Sequence, residues 1–424
     1  MLQEASLADV RREYETQGQP PPDLSGGIGP DEAGLAALVL NPALKAKRLE
    51  RGIAAGQLVT AGLYPNPNFD SRELLGSRNP AGHKELEANF GIEVLRWQEQ
   101  AANIQTKKAN LEAVHYDILS EEWKTVSDAR SAWWDAVAAQ ERLKLNQQQL
   151  DLSARLLESV KARIRHGAGT ALDENLTELQ DLRLRLDRQK LEADTETAGR
   201  TLREALGLPY DAEVNLRVPE KPLAPPARKW RVDELLASLP GSATMKAFEW
   251  RYQVAESELR AAIARQYPSL RIGPGGTFDF DGHIWSSLLG FIVAADLPLI
   301  DRNQGAIKEK IAARNVAYAE YTAQLLHLRA AAAEAALQLD RLAQRVAFQE
   351  KELTPKGEKS IELTEKAYKA GDIAGSDLLL ARSLFIDTEK SHLELLTDYR
   401  TAMQHLEAVL GRRLDDVEAQ GAKP

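Results

Sequence analysis

Two stretches of this chain contain neither proline nor glycine: 75 residues from Ile92 to His166, and 49 from Ala306 to Thr354. At about 1.5 Å per residue, helices of these lengths run roughly 70–110 Å. An ordinary globular helix has about 11–12 residues. The stretches are rich in Ala, Leu, Glu, Gln, Lys and Arg, the good helix formers. Leu143, Leu150, Leu157 and Ile164 recur at heptad spacing, as do Leu172, Leu179 and Leu186. That spacing points to coiled-coil packing between long neighbours. The chain is therefore mainly α, and its helices are too long to close a small domain around themselves.

Composition narrows the classes. The 424 residues hold no cysteine, which excludes disulfides, thiolate zinc sites and cysteine nucleophiles. A net charge of −9 argues against nucleic acid as a partner, since phosphate neutralisation needs clustered Lys and Arg. His83, His115, His166, His283, His327, His392 and His405 are too dispersed to read as a metal site, and no cofactor is called. No run of about 18 apolar residues is present, which removes a transmembrane helix but not a transmembrane β-barrel. No Gly-rich phosphate loop, nucleophile elbow or metal-ligand triplet occurs, so no enzyme is expected. The opening MLQEASLADV has no basic and apolar leader pattern, as in a cytosolic protein or a mature chain.

The chain repeats itself. RHGAGTALDENL (165–176) resembles KAGDIAGSDLLL (369–380), placing Gly167 on Gly371 and Asp173 on Asp377 at an offset of 204. The same offset sets LREALG (202–207) on LEAVLG (406–411). Upstream, NPALKA (41–46) matches SATMKA (242–247), and YPNPNF (64–69) matches YPSLRI (267–272), at offsets of 201–203. Matched landmarks in one order point to a duplication. The division is then an extended N-terminal arm over 1–30, a first repeat over 31–207, a Pro-rich linker over 208–230, a second repeat over 231–412 and a tail over 413–424. Each repeat reads as helix, strand hairpin, very long helix, Gly turn and another long helix. The hairpins fall at about 64–97 and 268–298, and the turns at 167–172 and 371–376.

The hairpins alternate. Leu86, Ala88, Phe90, Ile92 and Val94 take turns with Glu87, Asn89, Gly91 and Glu93. Leu270, Ile272, Pro274, Gly276, Phe278 and Phe280 do the same, with Asp281-Gly282 as the turn signal. In the last strand Trp285, Leu289, Phe291, Val293 and Leu297 share one face, while Ser286, Gly290, Ala294 and Asp296 share the other. Leu288 and Ile292 are exceptions. Such strands can form a half-buried sheet under a helix. Here no short helix is spare as a cover, and four strands cannot close a barrel. Several copies of the chain could close one around a common axis, with apolar residues outside.

NPALKAKR, AGLYPNPNF, ADLPLIDRNQGAI and the two Gly turns resemble the TolC-like outer-membrane efflux family, most nearly its CzcC- and CusC-like cation-efflux branch, over roughly residues 30–412. The resemblance implies a homotrimer with a 12-stranded transmembrane β-barrel on a periplasmic α-barrel, set in outer-membrane lipid. It implies a passive duct for small molecules or metal cations. Its partners would be a periplasmic adaptor docked at the tip turns and an inner-membrane pump of the RND type. Many members of that branch begin with a lipidated cysteine, which this sequence lacks. Nor is there a Met or Cys ladder for relaying copper or silver.

Candidate residues follow. Gly167, Gly169, Gly371 and Gly375 make the tip turns for adaptor docking; the simpler role of Gly167 and Gly371 is to permit a left-handed turn. Trp285, Leu289, Phe291 and Val293 would face lipid, Trp285 being either an interface aromatic or a packed strand residue. By resemblance, Asp377 and its counterpart Asp173 are candidates for an acidic aperture. As plain chemistry each is equally a helix cap. Leu380 stands where the family has its second acidic position. Trp133-Trp134 read as packing between helices, and Asp31-Glu32 and Asp415-Asp416 as solvated terminal charges. The alternative function is a coiled-coil scaffold without a pore, which explains the long helices but not the alternating, duplicated hairpins.

Overall fold

The structure is a computed structural model that describes residues 7–16, 26–75, 84–94, 97–167, 169–218, 231–281 and 284–414. Its elements run α1 (Leu7–Thr16), α2 (Pro30–Leu40), α3 (Pro42–Gly62), β1 (Asn68–Leu75), β2 (Lys84–Val94), α4 (Trp97–Arg165) and α5 (Ala171–Leu206). The second half follows with α6 (Val232–Ser238), α7 (Ala243–Ala264), β3 (Ser269–Asp281), β4 (Ile284–Asp296), α8 (Gln304–Phe348), α9 (Thr354–Ala370) and α10 (Gly375–Leu410). The expected repeat is present. The arm over 1–30 is corrected in part: α1 is a helix, with Val10 fully buried. The hairpin turn at Asp281-Gly282, most of the linker and Asp415-Asp416 lie outside the described residues or reach into them only in part.

The chain divides into two compact units. One draws on Met1–Lys47, Leu119–Ser242 and His327–Pro424, the other on Arg48–Ile118 and Ala243–Leu326. The first is a helical unit. Alanines at 33, 36 and 37 on α2 face alanines at 129, 132 and 136 on α4, and Leu202 and Leu206 of α5 close the same cluster. Small side chains let the backbones approach, and Trp133 then fills the space left, fully buried. Its indole N–H donates to the Ile28 carbonyl at 2.7 Å, so burying the ring strands no polar atom. Trp133-Trp134 are thus packing residues, as their place in mid-helix implied. Trp134 meets Trp133 edge-on at 4.7 Å between centroids and carries the Arg400 guanidinium 4.6 Å from its ring.

Two sequence readings are revised here. Asp31 and Glu32 are not simply solvated. Arg130, almost fully buried, lies 3.6 Å from Asp31 and 3.1 Å from Glu407, and Arg413 reaches Asp31 at 3.3 Å. Glu32 pairs with Arg217. The second long helix is also not one helix. α8 and α9 are joined by a π-helical turn, Gln349–Leu353, whereas α4 is unbroken for 69 residues. Pro355 explains the break: it has no N–H, and its ring strikes the carbonyl four residues back, so the helix widens ahead of it. The heptad at Leu172, Leu179 and Leu186 is 64%, 47% and 67% exposed, so the expected packing between long neighbours does not cover it among the described residues.

The second unit holds one antiparallel sheet in the order β1-β2-β3-β4. Phe69 pairs with Phe90, Leu86 with Phe278, Ile92 with Ile272, Ile272 with Val293 and Pro274 with Phe291. The register therefore aligns the apolar sets of β2, β3 and β4 on one face, to which β1 adds Phe69 together with Ser71 and Glu73. The opposite face takes Asp70, Arg72, Glu87, Glu93, Arg271 and Asp279, together with the exceptions Leu288 and Ile292. After β4 the chain passes LPLIDRN into α8. There Asn303 adopts φ 59°, accepts no help from glycine, and donates its side-chain amide to the Ala262 carbonyl at 2.8 Å. Arg265–Glu99 and Lys310–Glu258 pairs tie the helices of this unit.

Candidate functional site: tip turns and sheet face

α4 ends at a turn in which Gly167 takes φ +73° and donates its N–H to Ile164. A left-handed residue there costs an L side chain roughly 1–2 kcal/mol. Gly169 is required for space, since a Cβ would lie 2.9 Å from Ile164 Cγ1. In the second turn Gly371 takes φ +88°, and Gly375 opens α10. The structure brings the two turns together. A Cβ on Gly375 would sit 3.5 Å from that of Asp173. Arg163 stacks 4.3 Å over the Tyr368 ring and donates to the Tyr368 carbonyl at 3.4 Å. Beneath them Leu156, Val160, Tyr368 and Leu378 form a small core of their own.

Both candidate aspartates act as caps. Asp173 accepts from the Thr170 N–H at 3.1 Å and the Thr170 hydroxyl at 2.7 Å, and its own N–H donates to Thr170 Oγ1 at 3.2 Å, which is a complete capping box. Asp377 makes half of one. It accepts from the Ala374 N–H at 3.2 Å, and Ala374 has no side-chain oxygen to return the bond. Its carboxylate remains exposed, as does Leu380 one turn on. Capping and a charged rim are compatible roles for one exposed carboxylate.

On the sheet, Leu289, Phe291 and Val293 are 75%, 82% and 68% exposed on the apolar face. Trp285 takes the register opposite Phe280 on that face, and its side chain is outside those described. β1 and β4 are the two edges of the sheet and carry unpaired backbone groups on their outer sides. No described helix is long and apolar enough to cross a membrane. Among the described residues no group of three or more His, Asp or Glu could hold a metal; His83 and His283 lie outside them.

Sequence reasoning missed two polar features. One is the buried Arg130–Glu407 pair. The other is a matched pair of amides: Asn146 donates to the Leu184 carbonyl at 3.2 Å, and Gln349 to the Thr388 carbonyl at 3.1 Å. A polar residue breaking a run of core positions was the available signal, but only the partner helix tells a buried amide from a solvated one.

The family described as outer membrane efflux protein matches residues 36–208 and 237–412, one span for each repeat. The chain is 22% identical over 372 residues to the cobalt-zinc-cadmium resistance protein CzcC of Cupriavidus metallidurans, covering 87% of this chain and 86% of that one. Its fold is similar to that of CusC, with a TM-score of 0.76 at 15% identity over 90% of this chain and 92% of the other. It is also similar to VceC of Vibrio cholerae (TM-score 0.73, 15% identity, 91% and 96% covered). The open state of MtrE of Neisseria gonorrhoeae gives 0.74 at 16% identity, covering 91% and 89%. With its profile matched across most of both repeats, and the duplicated hairpins and long helices that go with it, the chain belongs to the outer membrane efflux protein family.

Proposed function

We propose that the chain is the outer-membrane duct of a tripartite efflux system, assembled from three copies. The observation that carries this is the sheet register. It gathers most apolar residues of β2, β3 and β4, with Phe69 of β1, onto one exposed face and leaves β1 and β4 as the edges of the described sheet. Three such sheets joined edge to edge make 12 strands, enough to enclose a lumen, and they remove every open edge. The apolar faces then meet lipid and the polar faces line the conduit. The unmatched heptad leucines of α5 supply contact area between protomers. A pore-free scaffold leaves the apolar sheet face in water.

The protein sits in the outer membrane and extends into the periplasm. The paired tip turns are the docking end for an adaptor, which joins the duct to an inner-membrane pump. The reading assigns the chain no catalytic step. For cargo we favour cations. Asp70, Glu85, Glu87, Glu93 and Asp279 outnumber Arg72 and Arg271 on the polar face, and a low-dielectric wall strengthens their field. The relative CzcC is named for resistance to cobalt, zinc and cadmium.

Planar-bilayer recording of the purified protein tests this. Stable, cation-preferring steps and a native mass of three protomers are expected. Asp377→Asn keeps the cap acceptor and removes the charge, so it should lower cation preference and block by multivalent cations while leaving the melting temperature nearly unchanged. A monomeric or dimeric mass, or no conductance, overturns the reading. Unchanged selectivity and block with a lowered melting temperature would make Asp377 a cap alone.

A further inference from the structure

The internal duplication serves as an alignment of the chain with itself, and the structure shows where that alignment slips. Buried positions on the ascending helices match at an offset of 203: Ala129 with Ala332, Ala132 with Ala335, Ala136 with Leu339. The amides Asn146 and Gln349 keep that offset. Beyond them it becomes 204. Their acceptors Leu184 and Thr388, the turn glycines Gly167 and Gly371, and the buried Leu206 and Leu410 all obey the new value.

The second arm therefore carries one residue more between Gln349 and Gly371 than the first does between Asn146 and Gly167. From Asn146 to Gly167 there are 21 steps, and from Gln349 to Gly371 there are 22. In a regular helix an extra residue lengthens the arm by about 1.5 Å and turns everything beyond it by roughly 100°. Neither happens. Arg163 still meets Tyr368, and Gly375 still lies against Asp173. The π-helical turn at Gln349–Leu353 is the only such turn among the described residues and begins at the amide. A π turn closes an i→i+5 bond and so holds one residue more than an α turn.

We infer that this π turn equalises the two arms: it absorbs the extra residue so that both tip turns end level and in phase. That the level pair forms one docking rim for an adaptor rests on the proposed function. The equalising role does not.

Because the chain has no cysteine, the test has no background. Asp173→Cys with Gly375→Cys sets two Cβ atoms about 3.5 Å apart, inside the usual disulfide range of about 3.5–4.5 Å. The assay is disulfide formation within one chain of the detergent-purified trimer, read by free-thiol count and intact mass. In that background, deletion of Glu350 combined with Pro355→Ala converts the π turn to an α turn and leaves both arms at 21 steps. Cross-linking should stay within about twofold of the parent, because the geometry at the tips is unchanged. Deletion of Asp151 shortens the other arm with no π turn to absorb it, and cross-linking should fall about tenfold or more. The inference is overturned if the Glu350 deletion loses the cross-link or fails to assemble, or if the Asp151 deletion cross-links like the parent. Failure of the docking role alone would instead appear as the expected cross-linking pattern, retained in the Glu350 deletion and lost in the Asp151 deletion, with no loss of adaptor capture by the Asp151 deletion.

Discussion

An arginine at Phe291 and an arginine at Gly290 should have opposite consequences, although the two residues are adjacent. β4 has 13 residues, Ile284–Asp296, with Gly290 at its centre. At about 3.3 Å per residue and a tilt near 40°, the strand rises roughly 33 Å, and neighbouring residues differ in depth by only about 2.5 Å. Depth is thus matched and only the face differs. Phe291 lies on the apolar face and is 82% exposed in the protomer. Arginine near the midplane costs about 2–4 kcal/mol, and losing the phenyl ring from lipid removes a further ~1.5–3 kcal/mol. The charge term alone is a factor of roughly 30 to 1000 in the folded-to-unfolded ratio, and it is repeated in each protomer. Gly290 lies on the polar face with no atom within 4 Å of where its Cβ would be, so an arginine there has room and water. The assay is refolding into lipid vesicles, scored by the heat-sensitive gel shift of the folded barrel and by equilibrium urea titration. Val293→Arg should follow Phe291→Arg, and Ala294→Arg should follow Gly290→Arg. Equal effects on the two faces would refute the assignment of outside and inside.

Other outcomes follow from local geometry. Glu407→Leu leaves Arg130 buried with only Asp31 at 3.6 Å and takes the acceptor from the Leu414 N–H, so it should cost about 3–5 kcal/mol in denaturant titration. Arg130→Met with Glu407→Leu should recover most of that loss, and a double mutant no better than the single would show that the pair is not the cause. Ala374 already has the extended backbone of an N-cap and lacks only the oxygen, so Ala374→Thr should complete the box with Asp377 and raise stability by about 0.5–2 kcal/mol. Burial pushes the Glu389 carboxyl above the usual glutamate range, and Glu358 adds to the shift. The folded state then holds this proton more tightly than the unfolded one, so the carboxyl costs stability as pH rises from the ordinary value of 4.5 through the raised one. Glu389→Gln should raise the melting temperature at pH 7 and have little effect at pH 4.

The long helices and the strand faces were legible because each rests on a period carried by the sequence itself. α4 and β4 needed only the absence of Pro and Gly and the alternation around Phe291. The tip turns were legible because Gly167 and Gly371 repeat in a fixed context. Pro355 was visible as the end of a Pro-free stretch, but a proline can stop a helix, kink it or widen it. Which occurs depends on packing either side, here Gln349 held to Thr388 across the hairpin. Asp31 was misread for a related reason. An acidic residue near an arm looks solvated until Arg130 and Arg413, 99 and 382 positions away, are placed beside it. The drift of offset from 203 to 204 was in the sequence throughout, and the π turn supplies its physical cause.

The Arg130–Glu407–Asp31 cluster also bears on when the protein can finish folding. Its members come from residue 31, from the first long helix and from the last helix, and Leu414 closes the group through its N–H. Contacts spanning 277 and 382 positions incur their loop-closure entropy before they return any energy. A nascent chain that has passed residue 130 can set Arg130 only against Asp31, at 3.6 Å, and gains the closer Glu407 carboxylate, at 3.1 Å, once the last helix has arrived. Until then burial of the Arg130 guanidinium is only partly compensated, which opposes closure of the first repeat around it. Truncations before Glu407 remove the nearer carboxylate together with Leu414, whose N–H it caps, and should yield protease-sensitive chains even though both hairpins are complete.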